Sequence, residues 1–159
     1  MKKIIWIFIA LIAMTSVNLS AQKGEKTMGI LGGYNTRNQS GIAGIFFQYR
    51  FSKYFRLSPD IQYTFQHKGL SAFQINGNAH FPLRLDSRLN FYPLVGITYT
   101  SWKESVDGSN NNYNKFGANI GGGFEYMAMP TMKIFIEGKY NWIQKLPSGA
   151  ISLGIGYIF

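Results

Sequence analysis

From Arg56 to Gln66 the chain alternates almost without fault. Leu57, Pro59, Ile61, Tyr63 and Phe65 stand against Arg56, Ser58, Asp60, Gln62, Thr64 and Gln66. A period of two means a strand with two unlike faces. The pattern recurs along the chain. Ala43, Ile45, Phe47, Tyr49 and Phe51 oppose Ile42, Gly44, Phe46, Gln48 and Arg50, and Phe73, Ile75, Gly77, Ala79 and Phe81 oppose Gln74, Asn76, Asn78 and His80. Leu89, Phe91, Pro93, Val95, Ile97 and Tyr99 face away from Asn90, Tyr92, Leu94, Gly96 and Thr98. Phe116, Ala118, Ile120, Gly122, Phe124 and Tyr126 alternate with Gly117, Asn119, Gly121, Gly123 and Glu125. Ile134, Ile136, Gly138, Tyr140 and Trp142 alternate with Lys133, Phe135, Glu137, Lys139 and Asn141. With Met28–Tyr34 and Ala150–Phe159, eight strands are predicted. Prolines interrupt a ladder, so Pro59 and Pro93 predict a bulge or a lost hydrogen bond.

Short connections are predicted at Ser52–Tyr54, Leu85–Ser87 and Ala128–Met132. Longer, more polar ones are predicted at Asn35–Gly41, His67–Ser71, Ser101–Lys115 and Ile143–Gly149. Short turns at one end and long loops at the other suit an up-and-down barrel with both termini at the short-turn end. Strands of roughly 9–11 residues are the length that crosses a bilayer at a tilt.

The apolar face supplies about 40 residues over eight strands, many of them large, and the lumen of so small a barrel is only wide enough for side chains to fill. The large residues therefore point outward, and a continuous apolar belt of that extent requires lipid. The aromatics fall in two bands, as interface girdles do. Trp102, Trp142, Tyr99, Phe65, Phe73 and Phe116 lie toward the long loops, and Tyr49, Phe51, Phe55, Phe81, Phe91, Tyr157 and Phe159 toward the short turns. A one-residue slip of the third strand would move Arg56 and Asp60 into lipid, where a mid-bilayer Arg costs about 2–4 kcal/mol.

The ends of the chain set the compartment. Met1-Lys2-Lys3 followed by the apolar run Ile4–Met14 reads as a secretory signal cleaved near Ala21-Gln22. The run is shorter than the roughly 20 residues of a membrane helix. The expected division is residues 1–21 as signal peptide and 22–159 as one barrel domain. There is no cysteine, which excludes a lipoprotein anchor and a disulfide framework. The formal net charge of +9, two units of it in the signal lysines, is expected to face anionic lipopolysaccharide or to sit inside the barrel; in an exported chain it argues against a nucleic-acid partner. At the other end Leu153, Ile155, Tyr157 and Phe159 alternate with Ser152, Gly154, Gly156 and Ile158. This resembles the C-terminal strand by which bacterial outer-membrane barrels are recognised for assembly.

The mature chain as a whole resembles the small OmpA/OmpX-like outer-membrane β-barrel family. Phe51-Ser52-Lys53-Tyr54-Phe55-Arg56-Leu57-Ser58-Pro59-Asp60-Ile61-Gln62-Tyr63 and Gly117-Ala118-Asn119-Ile120-Gly121-Gly122-Gly123-Phe124-Glu125-Tyr126 are similar to recurring pieces of it. The resemblance implies an all-β, eight-stranded antiparallel transmembrane barrel in a Gram-negative-type outer membrane, monomeric, with termini in the periplasm. Its implied partners are membrane lipid, lipopolysaccharide and the barrel-assembly machinery. The family's members differ in role, so the resemblance leaves the activity open.

The inward charges Arg50, Arg56, Asp60, Glu125, Glu137 and Lys139 are of both signs and are read as an ion-paired plug, because unpaired charges in a confined lumen are costly. The first alternative function is a lipid A-modifying site, built from His67, Ser71 and either Glu104 or Asp107; the second is a narrow, porin-like solute path along these charges. No nucleophile motif surrounds Ser71, and His80 falls inward at the opposite end, so no catalytic residue is assigned. No His, Asp and Glu spacing suggests a metal, and no cofactor is expected. Gly121-Gly122-Gly123 sits inside a strand with no helix after it, unlike a phosphate loop. The polar stretch from Ser101 to Lys115 is the candidate contact surface, with Trp102, Lys103, Tyr113 and Lys115 as contacts and an anionic ligand favoured. The reading is thus of a non-enzymatic barrel for envelope scaffolding or surface-loop interaction.

The terminal strand yields a direct test. Replacing Tyr157 and Phe159 together by polar residues should leave the chain in the periplasm to be degraded, as measured by immunoblot of separated membrane fractions. Unchanged outer-membrane abundance would remove the assembly role.

Overall fold

The computed structural model describes residues 24–67, 69–106, 109–143 and 147–159; the expected signal segment lies outside them. Nine strands form one sheet: β1 (Lys26–Asn35), β2 (Ser40–Ser52), β3 (Phe55–His67), β4 (Leu70–His80), the two-residue β5 (Leu83–Arg84), β6 (Leu89–Val106), β7 (Ser109–Met129), β8 (Met132–Ile143) and β9 (Ser148–Ile158). β5 only lines the connection from β4 to β6. The other eight pair antiparallel with their neighbours, and β4 pairs directly with β6. β1 pairs with β9 from Thr27↔Ile158 to Asn35↔Ala150, which closes the sheet into a barrel. The backbone of Phe159 continues the seam, exchanging hydrogen bonds with Lys26 at 2.9 and 3.3 Å.

The faces are as the alternation predicts. Ile30, Ile97, Phe116, Trp142 and Leu153 are exposed on the outside, Phe116 at 76% and Trp142 at 73%. Thr64, Asn76, Glu125, Lys133 and Asn141 are buried inside. Edge-to-face and tilted ring contacts at 4.6–5.8 Å link Tyr49, Phe51, Phe55 and Phe81 into a band near the termini. Tyr63–Phe65 and Tyr99–Phe116 pairs stand toward the other end. A groove of about 790 Å³ on the outer wall, between Ile30, Phe124, Ile136 and Leu153, is mostly apolar and belongs to the lipid-facing surface.

Several connections differ from expectation. The segment Ser101–Lys115 is not a loop: β6 and β7 stay in register from Leu89↔Tyr126 to Val106↔Ser109, so the segment is the outer part of a long hairpin. Its Asn- and Ser-rich composition hides a strand because, outside lipid, neither face has to be apolar. His67–Ser71 is a tight connection, with His67 opposite Leu70 and Gly69 at φ +79°. Residues 81–88, by contrast, form a longer connection than the Leu85–Ser87 turn predicted, with β5 inside it. Trp102 is not an outer girdle residue. It has the same parity as Tyr92, Leu94 and Thr100, and it is 1% exposed. The β2–β3 ladder lacks partners at Pro59 between Tyr49↔Leu57 and Phe46↔Asp60, without a change of register. Pro93 causes no bulge; it sits beside the end of β4 and keeps its place opposite Gly122.

Inside, Leu31, Phe46 and Phe135 form a small apolar cluster, with the two rings edge to face at 5.1 Å. Glycines make room for large inward side chains. A Cβ at Gly123 would lie 2.5 Å from the Tyr92 hydroxyl and 2.6 Å from the Ile136 carbonyl, whereas a Cβ at Gly138 on the outer face would meet nothing within 4 Å. Gly123→Ala should therefore destabilise the barrel by about 1–3 kcal/mol, the usual cost of overpacking. Gly138→Ala should be neutral. Urea unfolding in detergent micelles, read by tryptophan fluorescence, checks both, and equal midpoints for the two variants would contradict this packing.

Candidate functional site

Alternation fixes which side chains share the lumen, and the shear of the strands decides which of them meet. All six predicted inward charges, Arg50, Arg56, Asp60, Glu125, Glu137 and Lys139, are buried inside. Five of them and Lys133 form two linked clusters around carboxylates, with Arg50 at the margin.

The first cluster centres on Glu125 of β7, near the end that carries the termini. Arg56 of β3 donates from Nη1 to its Oε2 at 2.7 Å across the lumen, a charge-assisted bond of the strong kind. Lys133 Nζ lies 3.6 Å from the same oxygen and Arg50 Nη2 lies 3.8 Å from Oε1. Asn90 donates to Oε1 at 3.0 Å. Three cations thus converge on one carboxylate, and Glu25, in the lead-in to β1, adds a second acid 3.5 Å from Arg50.

The second cluster lies deeper. Tyr92 donates to Glu137 Oε2 at 3.0 Å. Lys139 Nζ stands between Glu137, at 3.9 Å, and Asp60, at 3.6 Å. Asp60 accepts hydrogen bonds from Gln62, Asn76 and Asn78 at 2.6–2.9 Å. Asn119 donates in turn to Asn76 and Asn78. His80 joins the two clusters. It stacks on Tyr92 at 4.6 Å and accepts at Nδ1 from Arg56 Nη2 at 3.1 Å, as the inward, hydrogen-bonded histidine expected at that end. Arg56 also lies over the Tyr92 ring at 5.1 Å.

The geometry therefore brings the predicted charges together as pairs. It also adds partners that the charge pattern alone did not single out: Lys133, Tyr92, Asn90 and Glu25. Lys133 has the same parity as Glu137 and Lys139, and that parity was the available signal.

At the opposite end, the connections hold one another. Thr36 exchanges hydrogen bonds with Gly149 at 2.9–3.1 Å, and Arg37 donates to the Pro147 carbonyl at 3.3 Å. Asn38 donates to the carbonyls of Phe65 and Leu70, and Ser40 to that of Phe65. Asn38 is thereby buried and its amide committed to two backbone carbonyls. The β6–β7 hairpin is different. β4 accompanies β6 as far as Leu70↔Glu104, and the β8 partners of β7 begin at Gly117↔Ile143.

Of the predicted loop contacts, Lys103 is exposed, Lys115 is half-buried and Trp102 is buried. Tyr113 pairs with Trp102 through the backbone, but its side chain lies outside the described residues. His67 is exposed at the end of β3, while Ser71 and Glu104 are half-buried on β4 and β6. Among the described residues no hydrogen bond links these three, and Asp107 lies outside them. The terminal-strand residues Leu153, Ile155, Tyr157 and Phe159 all face outward and are exposed.

The fold is similar to that of several solved outer-membrane barrels. Neisserial surface protein A (NspA) superposes with a TM-score of 0.74 at 15% identity, over 88% of this chain and 100% of that one. The N-terminal β-barrel domain of Pseudomonas aeruginosa OprF gives 0.72 at 14% identity, over 86% and 98%. Ail, the attachment invasion locus protein of Yersinia pestis, gives 0.65 at 18% identity, over 87% and 100%. Its crystal structure in complex with the heparin analogue sucrose octasulfate gives 0.59. None of the curated proteins matches the chain in sequence. The model of the outer membrane protein beta-barrel domain matches residues 8–159, and with the closed, lipid-facing barrel described above, the chain belongs to that family.

Proposed function

We propose that this protein is a non-enzymatic outer-membrane barrel that presents its β6–β7 hairpin at the cell surface to an anionic partner, lipopolysaccharide included. In this reading both termini and the β2–β3, β4–β6 and β7–β8 connections face the periplasm. The observation that carries the proposal is the contrast at the hairpin end. The connections through Thr36–Gln39, Gly69 and Pro147–Gly149 are laced together, whereas β6 and β7 run on in register to Val106↔Ser109. A projecting element on a rigid barrel is where recognition is expected. Lys103 is exposed on it, and Asn111, Asn112 and Asn114 supply polar contacts beside it. The sulfated ligand held by Ail fits the same kind of chemistry, a polyanion at a small barrel.

Replacing residues 104–114 by a short Gly-Ser turn should abolish binding to immobilised lipopolysaccharide. Folding, read by heat-modifiable gel migration, should be intact, since only the outermost β6–β7 pairs are removed and β6 from Leu94 to Thr100 keeps its partners on both sides. Full binding by the trimmed barrel would place the contact elsewhere.

The plugged lumen supports a role for the surface rather than for transport. Glu125→Gln removes the charge on which Arg56, Lys133 and Arg50 converge and should cost about 3–5 kcal/mol, as for a broken buried pair. In planar bilayers the wild-type barrel should show no current steps. A triple Arg56→Ala, Tyr92→Ala, Glu125→Ala variant should show them, provided it retains heat-modifiable migration. Discrete steps from the wild type would instead favour a solute channel.

A further inference from the structure

A second cavity, of about 530 Å³, opens at the end of the barrel that carries the termini. The lead-in to β1, the β2–β3 turn and the β4–β6 connection enclose it. Glu25, Arg50, Lys53, Arg84, Ser87 and Asn90 contribute to its wall. Arg50, Lys53 and Arg84 thus face a single wall carboxylate, Glu25.

Arg50 is the informative member. It is only 9% exposed, and its ion pairs, to Glu25 at 3.5 Å and Glu125 at 3.8 Å, are longer than a charge-assisted hydrogen bond. Its Nε–H has no hydrogen-bond partner. A guanidinium offers five N–H donors in a planar fork, and leaving them unfilled in a buried position is costly. Glu125 is committed at Oε2 to Arg56. The Asn90 amide is already committed to Glu125.

The other two cations are arranged differently. Arg84 donates to the Asp86 and Ser87 carbonyls at 3.2 and 3.4 Å, which folds the β4–β6 connection around the rim and keeps the guanidinium there. The Asp86 carboxylate is turned onto the Ser87 N–H at 2.7 Å. Lys53 rests 4.6 Å over the Tyr54 ring, exposed at the opening.

We infer that this mouth binds a compact, multiply charged phosphate ligand, with Arg50 at its floor and Lys53 and Arg84 at its rim. Arginine forks and a lysine point charge are the groups that recognise phosphate oxygens. The cavity is large enough for more than one phosphate group, and three cations call for more than one negative charge. Glu25 competes with the ligand for Arg50, so it sets the affinity. The ligand's side of the membrane rests on the orientation proposed above, but the site itself does not.

The experiment is isothermal titration of the folded barrel, in an uncharged sugar-based detergent, with inorganic pyrophosphate. Saturable binding is expected. Lys53→Gln/Arg84→Gln should weaken it by about tenfold or more, because two charge-assisted contacts are lost. Lys53→Gln alone, which leaves the Arg84 hydrogen bonds in place, should weaken it less. Glu25→Gln should tighten it several-fold, a direction that general loss of structure would not produce. Arg37→Gln/Lys103→Gln, at the other end of the barrel, should leave it unchanged. A parallel titration with short-chain phosphatidic acid, whose phosphate monoester can carry two negative charges, distinguishes sources: binding of that lipid with the same variant pattern would identify the phosphate as a lipid headgroup. Absence of saturable binding to either probe would overturn the site. So would equal weakening by the two charge-removing doubles, or no response to Glu25→Gln.

Discussion

Inside a bilayer no water is available to a backbone amide or carbonyl, so a chain that crosses as strands must pair every strand on both sides. The β1–β9 seam meets that requirement here, and the rest of the structure depends on it. Closure of eight strands sets a narrow lumen, and a narrow lumen limits what can point inward. It also makes alternation compulsory. Each residue that faces lipid places its neighbours in the lumen, so an apolar wall such as Ile151, Leu153 and Ile155 brings with it an interior of Ser152, Gly154 and Gly156. The glycines there accommodate bulky side chains from neighbouring strands, Phe135 against Gly154 and Phe46 against Gly29 and Gly156.

The interior charges follow from the same geometry. Cations at Arg50, Arg56, Lys133 and Lys139 are matched by Asp60, Glu125, Glu137 and, at the mouth, Glu25. A set of apolar residues would pack with less desolvation cost. Polar residues bring something else: they are incompatible with lipid, so each of them fixes the register of its strand. Sliding β3 by one residue would turn Arg56 and Asp60 outward together and would also break their bonds to Glu125 and to Asn76 and Asn78. Specificity of pairing is a stronger account of this network than net stabilisation.

Much of this was legible in the chain, because period-two alternation, side-chain volume and the number of strands constrain one another. The eight strands, the outward apolar face and the inward Arg56, Asp60 and Glu125 follow from those three alone. What remained hidden had physical causes. The outer hairpin carries Ser, Asn, Lys and Glu at positions of both parities, so no polarity contrast marks Ser101–Val106 and Ser109–Lys115 as strand. Trp102 resembled a girdle aromatic by its distance along the chain, yet parity, which Ala72↔Trp102 and Thr100 make plain, turns it inward. Lys133 pairs with Glu125 diagonally across the β7–β8 hairpin, whose register sets Glu125 opposite Phe135, and register cannot be read from one strand at a time. The length of the β4–β6 connection depends on β5, two residues whose only signal is their pairing with Phe91 and Asn90.

The ring pair Phe46–Phe135 and the Asp60 and Glu137 cluster stand in the lumen between the two ends of the barrel. The ends are also built on different principles. At one, the turns lace to one another through Thr36, Asn38 and Ser40, which leaves the β6–β7 hairpin to project from a rigid base. At the other, the turns draw apart around a cavity whose floor is Arg50, an arginine held by long, incomplete pairs. The interior network reaches this mouth through Arg50 and Asn90, both of which contact Glu125, so the charge of the cavity and the ion pairs behind it are set together.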